Sequence, residues 1–203
     1  MRVERCRGCG SEALEALFSL GDMPYANSFP VRSPCLTKHR LALVICADCG
    51  LVQLDEFPDL EELYSNYIWE TASSSSIPLF LKDAAAGFLS TGNIGKVIEI
   101  ASNDGTFLSA FKELGCETVG VEPARNLATA SRKKGLKIIN DYISEGFTDK
   151  YPDLRGQFDL LIARNVLAHL TDIQSFLNEA SELLGPDGRC WIEFHDGDRI
   201  LQD

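Results

Sequence analysis

Two Cys-x-x-Cys-Gly elements, at residues 6–10 and 46–50, constrain this chain more than any other feature. A Cys-x-x-Cys turn brings two thiolates to one side of a tight loop. The glycine after it lets the backbone reverse and aim amides at the sulfurs. Two such knuckles complete a tetrahedral four-thiolate set, Cys6, Cys9, Cys46 and Cys49, and a closed set of this kind suits a structural zinc ion. Iron in the same ligands, or ordinary free thiols, are the alternatives. The 36 residues between the pairs exceed the spacer of the shortest zinc modules, so that segment must be partly folded. Zinc binding in such modules is worth roughly 10–16 kcal/mol. That can hold a domain of about 60 residues whose own core is marginal. Cys35, Cys116 and Cys190 lie outside the knuckles and read as small apolar filler. His39 reads as a surface residue.

Seven cysteines is an odd number, so complete disulfide pairing is excluded. Residues 1–10 carry three arginines but no apolar run follows, so they are not a signal peptide. No stretch of 18 uncharged apolar residues occurs, so no membrane partner is expected. These readings place the chain in the cytoplasm, where thiols stay reduced. The net charge is −11, with 30 acids against 19 Lys and Arg. Such a surface repels phosphate backbones, so nucleic acid is not an expected partner. A small molecule sees only its local site and is not excluded.

The chain reads as three stretches. Residues 1–70 form the zinc-binding domain, with a strand at 41–45. Residues 71–92 hold a serine tract and a connecting helix over 77–89. Residues 93–203 alternate strand and helix. Apolar runs at 97–101, 118–122, 136–139, 158–163 and 190–194 read as strands of a buried parallel sheet. Phe107, Leu108, Phe111 and Leu114 give one helix face stopped at Gly115. Ile173, Phe176, Leu177, Ala180, Leu183 and Leu184 give another, capped by Thr171 or Asp172 and ended by Gly185-Pro186. The pattern predicts an α/β, doubly wound, Rossmann-like domain with right-handed crossovers.

The turn after the first of these strands reads Glu99-Ile100-Ala101-Ser102-Asn103-Asp104-Gly105. A dinucleotide fold wants glycines at 101, 103 and 106, where pyrophosphate meets backbone. Only Gly105 remains, and Glu99 and Asp104 are acids. Carboxylates oppose a pyrophosphate and favour a cation. S-adenosylmethionine, with a sulfonium and an ammonium, therefore fits better than NAD. Glu122, followed by Pro123, ends the second strand, where a carboxylate accepts ribose hydroxyls. Asp141 follows the third strand, where an adenine amino group would lie, and Tyr142 or Ile143 could flank the ring. Ala163, Arg164 and Asn165 follow the fourth strand at the mouth of the same crevice.

The chain resembles the sugar C-methyltransferases that act on nucleotide-linked keto-deoxysugars. The resemblance rests on residues 6–10, 20–29, 46–54, 64–75, 99–105, 120–126 and 163–169. It implies a class I methyltransferase domain whose active site is covered on one side by the N-terminal zinc domain. It also implies abstraction of the proton next to a sugar ketone, then attack of the carbanion on the S-methyl group. Tyr64, Tyr67, Trp69 and residues 73–76 match a region lining the cleft, with Tyr67 as a candidate catalytic residue. His169 matches a histidine that faces substrate and is the other. Trp69 stands where the family often has tyrosine, and an indole cannot serve as acid or base. The family's Tyr-x-Glu-His segment and third domain would lie beyond Asp203, so the methyltransferase domain is expected to be incomplete at its C-terminus. Glu193-x-His195 is not that segment, and His195 reads as a loop residue. Two other readings remain open: a non-catalytic zinc-containing binding module on a Rossmann-like scaffold, and an NAD-dependent oxidoreductase.

Overall fold

The computed structural model describes residues 2–25 and 38–197. Cys35 lies outside them, as do residues 26–29 of the matched segment 20–29. The chain divides into two compact units, Met1–Ile68 with Thr171–Gln174, and Trp69–Leu170 with Ser175–Asp203. Among the described residues no helix is long and apolar enough to cross a membrane.

The first unit is an antiparallel sheet of β1 (Leu14–Pro24), β2 (Lys38–Cys46) and β3 (Val52–Leu54), in that order. The strand expected at 41–45 lies inside β2. β1 had no clear signal: its side chains are almost all exposed, and its pairing with β2 is irregular at Ala16/Phe18 and Ser19/Gly21. The turn joining β2 to β3 is the second knuckle. A short helix, α1 (Leu60–Tyr64), starts where Asp59 Oδ1 accepts the amides of Glu61 and Glu62 at 2.9 and 3.3 Å. Among the described residues of this unit, Cys6, Ala42 and Cys46 are the only buried apolar side chains. Gln53 is buried with them, its amide accepting from Arg7 N at 3.1 Å and donating to Arg5 O at 3.4 Å. The sheet therefore does not supply a hydrophobic core of its own.

The second unit is a five-stranded, all-parallel sheet. It contains β4 (Lys96–Ile100), β5 (Glu117–Val121), β6 (Lys137–Ile139), β7 (Phe158–Arg164) and β8 (Leu184–Glu193), in the order β6-β5-β4-β7-β8. The helices are α2 (Ser76–Leu89), α3 (Thr106–Glu113), α4 (Arg125–Lys133), α5 (Phe147–Lys150) and α6 (Ile173–Leu183). Alternate strand residues face opposite sides. Ile98, Val119 and Leu161 pack with Phe176, Ala180 and Leu183. Val97, Leu160 and Ile162 pack with Leu81, Ala85, Phe107 and Phe111. Both faces are covered, as a doubly wound sheet requires. The chain runs outward from β4 through β5 to β6, then returns to the other side of β4 as β7. The topological switch point is therefore between β4 and β7, and ligands of such sheets bind beyond the carboxyl ends there.

Two details differ from the sequence reading. The helix expected as a connector, α2, buries Leu81 and Ala85 in the core of the second unit. The last strand begins at Leu184 rather than Cys190, with an irregularity where Phe158 pairs Leu184 and Leu160 pairs Arg189. Gly188 makes this possible, because a Cβ there would sit 2.7 Å from Phe158 O. Cys116 is buried and donates to Ile94 O at 3.5 Å, as apolar filler should. Cys190, on β8, is instead exposed.

Candidate functional site

The two knuckles are built alike. Gly10 N donates to Cys6 O at 2.8 Å and Gly50 N to Cys46 O at 2.9 Å. Both glycines adopt positive φ, 78° and 75°. Cys6 Sγ lies 3.5 Å from Cys49 Sγ, and Cys9 Sγ 3.7 Å from Cys46 Sγ. All four sulfurs lie within 4.8 Å of one another. Metal–sulfur bonds of about 2.3 Å in a tetrahedron demand sulfur separations of about 3.8 Å, so the donor set fits such an ion. Burial pushes the Cys6 thiol up, but the N–H groups of Cys9 and Gly8, together with the sulfurs of Cys49 and Cys9, bring it down to about 7. At Cys49 the Leu51 N–H acts to lower, and the sulfurs of Cys6 and Cys9 override it, pushing that thiol up to about 12. Protons crowded in this way are what a bound cation displaces. His39 takes no part: it stacks on Tyr25 at 3.8 Å.

In the second unit, three carboxylates are buried where β4 and β5 end: Glu99, Asp104 and Glu122 are 5%, 2% and 4% exposed. Burial pushes Glu99 well above the usual carboxylate range; Arg164 opposes this, and Glu122 and Asp104 reinforce it. Burial likewise raises Glu122. Arg164 also pairs with Glu193 at 3.2 Å, so its charge is shared. Glu122 accepts Asn103 N on Oε2 at 2.6 Å and Ala124 N on Oε1 at 2.8 Å. These bonds fix the carboxylate and leave each oxygen further acceptor capacity. Asp104 accepts Thr106 Oγ1 at 2.7 Å and meets Lys134 Nζ at 3.5 Å. Glu99 Oε2 and Ser102 Oγ are buried without a hydrogen-bond partner.

The loop between β4 and α3 is not an anion nest. The amide of Ser102 is donated to Val121 O, that of Asn103 to Glu122, and that of Asp104 to Asn103 Oδ1. The amide of Gly105 goes to Ser102 O, and that of Thr106 to Asp104 Oδ1. Five consecutive N–H groups are thus committed to the protein itself, three within the loop and two to Val121 and Glu122. Ala101 and Asn103 hold φ of 52° and 53°, a conformation costing a non-glycine residue about 1–2 kcal/mol. Strain of this kind concentrates where a site demands it.

The remaining candidates are placed as follows. Pro123 is half-buried, and its carbonyl accepts Asn140 Nδ2 at 2.8 Å. Asp141 accepts Lys150 Nζ at 2.6 Å and Tyr151 OH at 2.9 Å; burial acts to raise it, and these two partners hold it below its ordinary value. Tyr142 is half-buried, whereas Ile143 belongs to the core. Ala163 is fully buried at the end of β7. Asn165 is exposed, with φ of 54°. His169 is exposed at the end of a single 3-10 turn, Leu167–His169. Tyr67 belongs to the first unit, its ring 5.7 Å from that of Tyr64. The sheet thus brings Glu99, residues 101–105 and Glu122 together. Sequence reasoning missed Thr71, Ser131 and Lys134, which bind this loop from 28 to 32 positions away, and Asn140, whose Nδ2 donates to Glu122 O and Pro123 O.

Comparison with known proteins agrees with this geometry. The family described as "Putative zinc binding domain" matches residues 6–64, and that described as "Methyltransferase domain" matches residues 74–202. The C-methyltransferase NovU of Streptomyces niveus is 28% identical over 94% of this chain and 47% of its own length. A ubiquinone biosynthesis O-methyltransferase of Rhodopseudomonas palustris (strain BisA53) is 30% identical over 46% of this chain and 37% of its own. The chain thus spans about half the length, or less, of these curated relatives. The crystal structure of the PH0226 protein from Pyrococcus horikoshii OT3 shares the fold, with a TM-score of 0.54 at 17% identity over 72% of this chain and 70% of that one. With a parallel sheet of this order, a cluster of buried carboxylates where β4 and β5 end, and a family match over residues 74–202, the chain belongs to the methyltransferase-domain family.

Proposed function

We propose that the chain binds S-adenosylmethionine beyond the carboxyl ends of β4 and β5, and serves an enzyme that methylates a carbon atom of a nucleotide-linked keto-deoxysugar. One observation carries the cofactor: the amides of residues 102–106 are all committed to protein acceptors, while three buried carboxylates lie in and beside the loop. Such a site repels a diphosphate and stabilises a cation. The unpartnered Glu99 Oε2 and Ser102 Oγ are the groups a charged amino-acid moiety would satisfy. The likeness to a C-methyltransferase supports carbon as the acceptor.

S-adenosylmethionine supplies a methyl group activated by a positive sulfonium. Glu122, held by two amides, would accept the ribose hydroxyls. Tyr142 and Asp141 would lie beside the adenine, and Pro123, Ala163 and Asn165 would border the crevice. His169 or Tyr67 would take the proton next to the sugar ketone as general base. Residues 1–70 would hold zinc on Cys6, Cys9, Cys46 and Cys49 as a structural ion in the reducing cytoplasm, with 71–92 leading into the methyltransferase part, 93–203.

Titration calorimetry of the zinc-loaded chain tests the cofactor. S-adenosylmethionine should bind and NAD should not; the reverse result sinks the proposal. Glu122→Gln should weaken binding roughly 10–100-fold, the worth of hydrogen bonds to a charged acceptor.

Glu99 adds a pH dependence. Its raised folded-state pKa means that the folded chain holds the proton more tightly than the unfolded one. The associated stability is complete below the ordinary carboxylate range and is lost as pH rises through the raised range; Glu122 acts in the same direction. The ligand-free chain should therefore melt progressively lower as pH rises above the ordinary carboxylate range. Glu99→Gln should flatten that slope and melt about 5 °C higher at the alkaline end. Thermal scans across pH check this, and equal slopes for both proteins would refute it.

A further inference from the structure

We infer that Asn103 is a positioning residue that straps residues 69–72 onto the cofactor loop and thereby sets how long S-adenosylmethionine stays bound; the inference rests on the cofactor proposed above. Position 103 has the backbone of a glycine, with φ of 53°, yet carries an amide that uses both of its ends. Oδ1 accepts Thr71 N at 2.9 Å, Thr71 Oγ1 at 3.2 Å and Asp104 N at 2.8 Å. Nδ2 donates to Trp69 O at 3.0 Å. Ala72 N continues the seam to Asp104 Oδ2 at 3.2 Å.

The backbone of the same residue points the other way. Asn103 N holds Glu122 Oε2 at 2.6 Å, and Asn103 O accepts Ser131 Oγ at 3.0 Å. One residue therefore registers the strap against the carboxylate assigned to the ribose. Little else in the strap resists opening. Trp69 is 58% exposed, the 3-10 turn Thr71–Ser73 has no side-chain cap and buries no residue, and Ala72 and Ser73 are exposed. Segments with few buried contacts open locally, without global unfolding. A strap held by polar bonds to the loop then acts on the rate of ligand escape more than on the rate of entry.

Two variants test this from opposite sides of the seam. Asn103→Gly removes the amide and relieves the positive φ, so the melting temperature should not fall. Thr71→Pro removes both Thr71 donors, the N–H and the hydroxyl, and leaves Asn103 intact. Proline is tolerated there because Glu70 is extended (ψ 137°) and Thr71 opens the turn. Stopped-flow displacement should show S-adenosylmethionine leaving roughly tenfold faster from each variant, with association changed less than threefold. The double variant should be no faster than either single one, since both cut one seam. In the ligand-free chain, hydrogen exchange at the Ala72 amide should accelerate at least tenfold in both. Unchanged dissociation and Ala72 exchange, or fully additive dissociation effects, overturn the strap. If the unaltered chain binds no S-adenosylmethionine, the cofactor assignment falls first and the strap with it.

Discussion

Chelation of the metal should unfold residues 1–68 while the parallel sheet of the second unit keeps its amide protection. In the first unit, three apolar side chains are buried among the described residues, and two of them are the thiols of Cys6 and Cys46. Burying one aliphatic side chain is worth about 1.5–3 kcal/mol, so Ala42 and its neighbours contribute only a few kcal/mol. Ordering some sixty residues costs far more than that. Among the described residues, a metal on the four thiolates, worth roughly 10–16 kcal/mol, is the only interaction that would reach the required size. Cys46→Ala should reproduce the effect of chelation, because three thiolates leave the shell open. Cys116→Ala, in the second unit, should not. Hydrogen exchange read by mass spectrometry, with and without zinc, separates the two units. Exchange in β1–β3 that ignores both the chelator and the Cys46 change would show that something other than metal holds the sheet.

Gly105→Ala should cost the second unit about 2–5 kcal/mol, lower its melting temperature by about 10 °C, and weaken cofactor binding as well. Two penalties combine there. The residue sits at φ +74°, which costs an L side chain about 1–2 kcal/mol. Its new Cβ would also stand 2.3 Å from Leu136 Cδ1 and 3.1 Å from Ser131 Oγ. Leu136 and Ser131 are both buried, so neither can withdraw into solvent. Gly115→Ala separates the two effects. It has φ +95° but nothing within 4 Å, so it should lose only the backbone share. Equal losses in the two variants would mean that α4 and β6 yield without cost and the clash is illusory.

The parallel sheet was legible because each strand is a continuous apolar run, a pattern that depends only on burial of both faces. The knuckles were legible because ligand spacing is local. β1 was not: its apolar residues, Leu17, Phe18 and Leu20, are about half exposed, and two irregularities break the alternation that would have marked a strand. The start of β8 was hidden because Gly185 and Pro186 carry a helix-stop signal, and nothing in the sequence says that Gly188 must pass close to Phe158 O. At the site, Glu99, Asp104 and Glu122 could be found from their positions at or just beyond strand ends. Asn140, Ser131 and Thr71 could not, since each acts on residues brought near only by the crossovers. Asp141 shows the converse: its position after β6 was foreseeable, but its bond to Lys150 was not.

The two knuckles, alike in geometry, differ in how the chain reaches them. Cys46 and Cys49 form the bend of a hairpin in which Ile45 already pairs with Val52, so they can be gathered within microseconds of chain motion. Cys6 and Cys9 must close a loop more than thirty residues long before they arrive. Assembly of this unit would therefore have a direction: the hairpin would present Cys46 and Cys49 first, and Cys6 and Cys9 would complete the four-thiolate set last.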